Sequence, residues 1–164
     1  MDTYKTKKVM VAIDESEGSF YALQWLINTF PVDQTVTLLH VLAPLYPSIY
    51  PPGPATFYQP PALMESVRKS QAENSSIILA RAAQMCEKAK IVAETLVYEG
   101  DPKDMICQAT EQLEVDLLVV GSRGLGKIKR AFLGSVSDYC AHHARCPVLI
   151  VKPPKESSSS SVHH

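Results

Sequence analysis

Glycines, cations and hydroxyl groups are concentrated in one stretch of the chain, from Gly121 to Ser137. Eight of its residues are glycines or cations: Gly121, Gly124, Gly126, Gly134, Arg123, Lys127, Lys129 and Arg130. The stretch contains no acidic residue and directly follows an apolar run, 117–120. Glycines let the backbone turn sharply and direct its N–H groups at anionic oxygens, which the positive charges also attract. The pattern therefore predicts a loop that binds phosphate.

The end of this stretch has the pattern of a helix start. Gly134 and Ser135 come before a segment that is predicted to be helical until about Ala144. The first turn of a helix has free N–H groups and a partial positive charge, which favour a phosphate, and Ser135 and Ser137 add hydroxyl donors. One alternative stays open, in which the glycines only adopt positive φ angles and the cations point into water.

Residues 121–127 also satisfy most of the P-loop pattern GxxxxGK. The pattern is degenerate, because Ile128 stands where a P-loop has the serine or threonine that holds magnesium. A slow ATPase or phosphotransferase that uses Lys127 or Ser135 is therefore an alternative function. The dinucleotide fingerprint GxGxxG does not follow the first predicted strand, where residues 14–18 read DESEG, so NAD binding is disfavoured.

Short apolar runs alternate with segments of helical periodicity along the chain. Strands are predicted at 7–13, 35–41, 91–98, 115–121 and 147–152. Helices are predicted between them, after Ser19 to about 30, from 60 to 88, after Asp101 to about 113, and from 134 to 144. The order βαβαβαβαβ predicts a parallel sheet with helices on both faces. Asp101 is expected to N-cap its helix, with Pro102 at the first helical position.

Composition indicates a single globular domain over residues 1–154. Hydrophobic residues make up 46% of the 164 residues and charged residues 20%, and the net charge of −1 gives no overall field for nucleic acid or an anionic membrane. No apolar run is long enough to span a bilayer. The cysteines at 86, 107, 140 and 146 lack metal-site spacing and are expected to be reduced, which favours the cytoplasm or the nucleus.

Two segments depart from this regular pattern. Residues 43–62 are rich in proline and tyrosine and predict a long loop, for which a lid over a site, a partly disordered insertion and a surface for a protein partner all remain open. The protein would be an interaction scaffold in the last case. Residues 155–164 form a serine-rich segment that is predicted to be a disordered tail.

The spacing Gly121-x2-Gly124-x9-Gly134-Ser135 resembles the G-x2-G-x9-G-[ST] pattern of the universal stress protein family. Other segments are also similar to that family: Val9–Asp14, His40-Val41, Gly100-Asp101-Pro102 and Cys146-Pro147-Val148. The resemblance implies a Rossmann-like fold of the adenine nucleotide alpha hydrolase type, with five parallel strands in the order 3-2-1-4-5. It also implies that the chain binds ATP, or AMP or ADP, with magnesium as an accompanying ion, and functions in stress response.

The resemblance further implies a set of binding residues: Ala12, Ile13, Asp14, Val41, Gly121, Ser122, Arg123, Gly124, Gly134, Ser135, Val136 and Ser137. Asp14 would accept a hydrogen bond from ribose or adenine, the backbones of Ala12, Ile13 and Val41 would border the base, and the others would surround ribose and phosphates. From the residues alone, Asp14 is equally suited to capping the first helix. His40 is expected to be a hydrogen-bonded strand histidine, and no catalytic residue or metal ligand is predicted.

A homodimer through strand 148–151 is likewise implied by the resemblance. This expectation has a physical counterpart, because Val148, Leu149, Ile150 and Val151 would form an apolar edge strand, which invites pairing with another strand.

Overall fold

The computed structural model describes residues 7–30, 35–44, 61–122 and 133–154. In these ranges the chain forms a five-stranded parallel sheet in the order β3-β2-β1-β4-β5, as the resemblance implied. The elements are β1 (Val9–Ala12), α1 (Glu17–Thr29), β2 (Val36–Leu42), α2 (Pro61–Lys88), β3 (Ala93–Glu99), α3 (Pro102–Gln112), β4 (Leu117–Gly121), α4 (Ser135–His143) and β5 (Val148–Val151). The predicted alternation of strands and helices is confirmed.

Helices cover both faces of the sheet, because the central strands carry apolar side chains on both sides. Helices α1 and α2 pack on one face, where Val9, Val11 and Leu38 join Leu23 and other helical residues in a core. Helices α3 and α4 pack on the opposite face, around Met10, Leu39, Leu118 and Ile106. Alternate side chains of one buried strand thus belong to different cores, as period-2 geometry requires.

The starts of α1 and α3 are set by capping side chains. The hydroxyl of Ser16 accepts a hydrogen bond from the N–H of Ser19 at 3.3 Å and so caps α1, which begins at Glu17, earlier than predicted. The alternative that Asp14 caps this helix is wrong, because Asp14 lies two residues before the cap. The carboxylate of Asp101 accepts from the N–H of Lys103 at 3.3 Å, so the predicted cap of α3 is confirmed.

Helix α2 begins at Pro61, so the last two residues of the predicted loop 43–62 are helical. The rest of that loop from residue 45 onward, and the predicted tail 155–164, lie outside the described residues. The buried side chains of α2 are in its second half and include Ile78, Leu79 and Ala82. Among the described helices, α2 included, none combines the length and the apolar character needed to cross a membrane.

Candidate functional site

A pocket of about 170 Å³ opens at the carboxyl ends of β1, β2 and β4. Ligands of open parallel sheets bind at this edge, where the chain leaves the strands and enters the helices. The pocket brings together most of the residues predicted for the site: Ala12, Ile13, Asp14, Val41, Gly121, Gly134, Ser135, Val136 and Ser137. Residues from four separate segments of the sequence therefore meet at one place.

Ser122 lies beside this pocket and does not line it. Its role is to anchor the start of α4 to the sheet through hydrogen bonds. Its carbonyl oxygen accepts hydrogen bonds from the N–H of Gly134 at 2.7 Å and from the hydroxyl of Ser137 at 3.2 Å. Its own N–H donates to the carbonyl of Val151 at 3.1 Å. The predicted residues Arg123 and Gly124, together with Lys127, Lys129 and Arg130, lie outside the described residues.

The two described glycines of the pocket have ordinary backbone conformations. Gly134 has φ −61° and ψ 158°, which any residue can adopt, and Gly121 is not among the positive-φ glycines. The alternative that these positions need glycine for a positive φ is therefore wrong. A Cβ atom on Gly121 would instead lie 2.9 Å from the backbone carbon and oxygen of Gly18, so glycine is required by close packing of β4 on the start of α1.

The N-terminus of α4 faces the pocket without a side-chain cap. Gly134 occupies the cap position and has no side chain that could accept a hydrogen bond from the helix. Ser135, Val136 and Ser137 follow in the first turn. The first N–H groups of a helix have no partner within the helix, and the helix dipole places positive charge at the same end. This end of the pocket is therefore suited to an anion.

The carboxylate of Asp14 lies on the β1 side of the pocket and is held by the turn that precedes α1. Its Oδ1 accepts hydrogen bonds from the N–H of Ser16, at 2.8 Å, and from the Ser16 hydroxyl. The N–H of Asp14 donates to the hydroxyl oxygen of Ser19 at 3.2 Å. Among the described residues none donates to Oδ2, which leaves this oxygen available as an acceptor at the pocket.

His40 lies on the other face of β2 from the pocket and is buried. Its Nδ1 is 2.8 Å from the carbonyl oxygen of Ile13, a residue of the pocket wall. A carbonyl oxygen can only accept a hydrogen bond, so Nδ1 carries the proton and donates it. The expectation of a hydrogen-bonded strand histidine agrees with this geometry.

Residues 5–152 match the Universal stress protein family. The chain belongs to this family. Its relatives include a universal stress protein A-like protein of Arabidopsis thaliana, which is 31% identical over 93% of this chain and 94% of its own length. The crystal structure of a family protein from Arabidopsis thaliana with AMP bound superposes with a TM-score of 0.66 at 28% identity, covering 94% of this chain and 97% of that one. The universal stress protein UspA from Lactobacillus plantarum superposes with a TM-score of 0.71 at 22% identity, over 90% and 98% of the two chains.

The pocket of this family member also contains residues that the sequence reasoning missed: Ser16, Ser19, Leu39, Pro102, Ile106 and Val120. Two of them carried a usable signal. Leu39 lies two residues before Val41 and so faces the same side of β2, and Ser16 is the preferred type of residue for a helix cap. Pro102 was recognised as a helix start but not as a pocket residue, and Ile106 had no signal, because only the packing of α3 against the sheet brings these two residues to this edge.

The described residues offer neither a metal centre nor an activated thiol at this site. No group of three or more histidine, cysteine or acidic residues within the described ranges is arranged to hold a metal ion. All four cysteines are free, and burial raises the pKa of Cys86, Cys107, Cys140 and Cys146 above the usual value for a thiol. A thiol with a raised pKa is a poor nucleophile at neutral pH.

Proposed function

We propose that this universal stress protein binds an adenine nucleotide, ATP above all, in the pocket at the carboxyl edge of its sheet, and that it functions in stress response as a nucleotide-binding module. The observation that carries the proposal is the arrangement of one pocket with an anion-binding helix end on one side and the Asp14 carboxylate on another. An apolar wall lies between them, formed in part by Leu39, Val41 and Ile106. Phosphate, ribose and base need three environments of these kinds.

The phosphates would bind at the start of α4. Ser135 and Val136 offer N–H groups of the first helical turn, and the Ser135 side chain is exposed, so its hydroxyl is available. The Ser137 hydroxyl is already used, since it donates to the carbonyls of Ser122 and Gly134 at 3.2 and 3.0 Å. We therefore assign Ser135 to direct phosphate contact, and Ser137 to holding the helix end in place. Arg123 and Gly124 stay predicted phosphate or ribose contacts.

The ribose would bind at Asp14. A carboxylate oxygen accepts hydrogen bonds from sugar hydroxyls, and Oδ1 is occupied by Ser16, so Oδ2 is the atom assigned to the ligand. The base would lie on the apolar wall, bordered by the backbones of Ala12, Ile13 and Val41. The Arabidopsis thaliana family protein that was crystallised with AMP supports adenosine as the common part of the ligand.

Binding rather than rapid turnover is the proposed activity. Among the described residues that line the pocket, Asp14 has the one carboxylate, and that carboxylate is fixed in the turn before α1. An accompanying magnesium ion would be held mainly by phosphate oxygens, as Mg²⁺ commonly is in nucleotide sites.

A homodimer through β5 is part of the proposal. β5 is the last strand of the sheet among the described residues, and Val148, Leu149 and Ile150 are only half-buried. An apolar edge strand pairs readily with a second copy, and pairing would satisfy its free N–H and C=O groups.

The proposal is tested first on the pure protein as it is isolated. Denaturing it and analysing the released small molecules by mass spectrometry should yield an adenine nucleotide. Titration calorimetry of the nucleotide-free protein with ATP then provides a measured affinity. A protein that releases no adenine nucleotide and takes up no ATP would contradict the proposal.

The substitution Asp14→Asn tests the assigned ribose contact. The amide oxygen of asparagine can still accept from Ser16, so the turn is kept, but the other position becomes an N–H donor and cannot accept from a ribose hydroxyl. We expect ATP affinity to fall by roughly tenfold, the value of one hydrogen bond to a charged group. Glu111→Ala removes an exposed carboxylate that pairs with Arg145 outside the pocket, and should leave affinity unchanged.

A further inference from the structure

We infer that His40, although it lies outside the pocket, is a positioning residue for the carboxylate of Asp14. Its ring N–H holds the Ile13 carbonyl, and with it the peptide group that joins Ile13 to Asp14. This inference rests on the proposed function, because it deepens the account of the same binding site.

The peptide group between Ile13 and Asp14 is the first part of the chain beyond β1, which ends at Ala12. The N–H of Ile13 still donates to the carbonyl of Leu39 at 2.8 Å, as a continuing strand would. The carbonyl of Ile13 accepts from His40 Nδ1 at 2.8 Å. Neighbouring residues of β2 therefore fix both the N–H and the C=O of Ile13, one through its backbone and the other through its side chain.

Strand geometry allows His40 to act from behind the sheet. Leu39 and Val41 point into the pocket, while Leu38 and His40 point to the opposite face, where α1 and α2 pack. His40 is only 7% exposed, so its Nδ1–H bond is screened from competing water. The ring thus reaches the pocket backbone without occupying ligand space.

Loss of the ring N–H would act on Asp14 through the shared peptide group. The C=O of Ile13 and the N–H of Asp14 belong to one planar unit, so rotation of the carbonyl toward a new partner also rotates the N–H. That N–H donates to the hydroxyl oxygen of Ser19 at 3.2 Å. The carboxylate of Asp14 would move with its main chain, and Oδ2 would lose its alignment with the ribose.

Leucine and asparagine make a matched pair at position 40. Both side chains branch at Cγ into two δ atoms and are close in size, although the branch is planar in asparagine and tetrahedral in leucine. Only asparagine has an N–H donor there, as histidine has at Nδ1. We expect His40→Leu to weaken ATP binding by roughly tenfold and His40→Asn to restore most of the affinity. Leu38→Val, on the same face of β2 and not in contact with the pocket, controls for a general loosening of the core and should bind as the natural chain does.

A double-mutant cycle with Asp14→Asn separates a positioning role from an independent one. If His40 acts through the Asp14 carboxylate, His40→Leu should cause little further loss of affinity once that carboxylate is gone. Full additivity of the two losses would overturn the inference.

The tautomer of His40 gives a readout that needs neither a variant nor a nucleotide. Nitrogen-15 NMR of the natural chain should show the proton on Nδ1, and a proton on Nε2 alone would overturn the inference. Hydrogen exchange at the amide of Asp14 should be faster in His40→Leu than in His40→Asn at equal global stability.

These outcomes distinguish failure of the inference from failure of the proposed function. If the natural chain binds ATP and both variants bind equally well, or equally badly, His40 does not position Asp14 through its N–H. If the natural chain binds no adenine nucleotide, the proposed function fails, and equal exchange at Asp14 in the two variants would then overturn the role of His40 as well.

Discussion

The N–H of Gly134 donates to the carbonyl oxygen of Ser122 over 2.7 Å. The chain leaves β4 at Ser122 and begins α4 after Gly134, so this bond joins the two ends of the glycine-rich stretch. Since Ser122 also donates to Val151 of β5, the start of α4 is tied directly to the sheet. The position of the proposed phosphate site is therefore set by the carboxyl ends of β4 and β5.

The two serines of the first turn of α4 should separate stability from binding. Ser137→Ala removes the buried hydroxyl that donates to Ser122 and Gly134, and we expect the free energy of unfolding to fall by about 1 kcal/mol. Ser135→Ala removes an exposed hydroxyl and should leave the free energy of unfolding unchanged while weakening ATP binding several-fold. Urea unfolding and calorimetric titration of both variants measure the two effects. Equal losses of stability in both would contradict the division of roles.

The two described glycines of the pocket should respond differently to a side chain. Gly134→Val should weaken ATP binding at least about tenfold and leave the fold intact, because the backbone angles suit any residue and the added branch would crowd the phosphate position. Gly121→Ala should lower the free energy of unfolding by about 1–3 kcal/mol, since its Cβ would meet the backbone of Gly18 at 2.9 Å. Circular dichroism melts and ATP titrations check both. Normal ATP affinity in Gly134→Val would remove this residue from the site.

Much of the fold followed from local patterns in the sequence. The apolar runs that became β1 and β4 are buried on both faces, so their length and composition alone identified them. Asp101 and Pro102 marked the start of α3 because capping chemistry is local. The start of α1 was missed, since Asp14 and Ser16 are both good capping residues and only the structure distinguishes Ser16 as the cap.

The site was harder to predict where it depends on contacts between distant residues. The location of Ser135 at the pocket could be predicted, because Ser135 stands at a helix start. The anchoring role of Ser122 could not, because it depends on hydrogen bonds to Gly134 and Val151, which no local pattern encodes. Gly121 was interpreted as a phosphate-loop glycine, although its neighbour is the backbone of Gly18, over a hundred positions earlier in the chain. The clustering of glycines in the sequence marked this position as special. It did not reveal that the backbone of Gly18 leaves no room for a Cβ atom there.

The thiol of Cys140 should make the fold sensitive to alkaline pH. Burial, with the Cys107 thiol at 3.9 Å, raises the pKa of Cys140 to about 12, because the thiolate is disfavoured in this core. An unfolded cysteine ionises near pH 8.5, so the stability that the neutral thiol contributes is fully present below that pH and is lost as pH rises toward 12.

Cys140→Ala tests this dependence. We expect the natural chain to lose at least about 1 kcal/mol more of its free energy of unfolding between neutral pH and about pH 10 than the variant loses. Urea unfolding at both pH values measures the difference, and equal losses in the two proteins would show that Cys140 does not carry the effect.

The proposed dimer can be tested by removing one N–H from the free edge of β5. The carbonyl of Pro147 accepts from the N–H of Leu118 in β4, and the carbonyl of Val151 accepts from the N–H of Ser122, the residue after β4. Alternation along the strand directs the backbone N–H and C=O of Leu149 to β4 as well. The backbone of Ile150 therefore points to the open edge, where a second copy would pair. Ile150→Pro should remove that N–H, leave the ladder with β4 intact and convert the dimer to a monomer, as measured by analytical ultracentrifugation.

Leu149→Pro is the matched control for this substitution. It removes an N–H that faces β4, so it should lower the melting temperature, whereas Ile150→Pro should mainly change the oligomeric state, because edge strands tolerate proline where the N–H faces outward. If the natural chain sediments as a monomer, or if Ile150→Pro keeps the dimer, pairing through 148–151 is wrong. A dimer that survives would have to use another surface, since a ladder between two copies of β5 depends on the N–H groups of its outward residues, Val148 and Ile150.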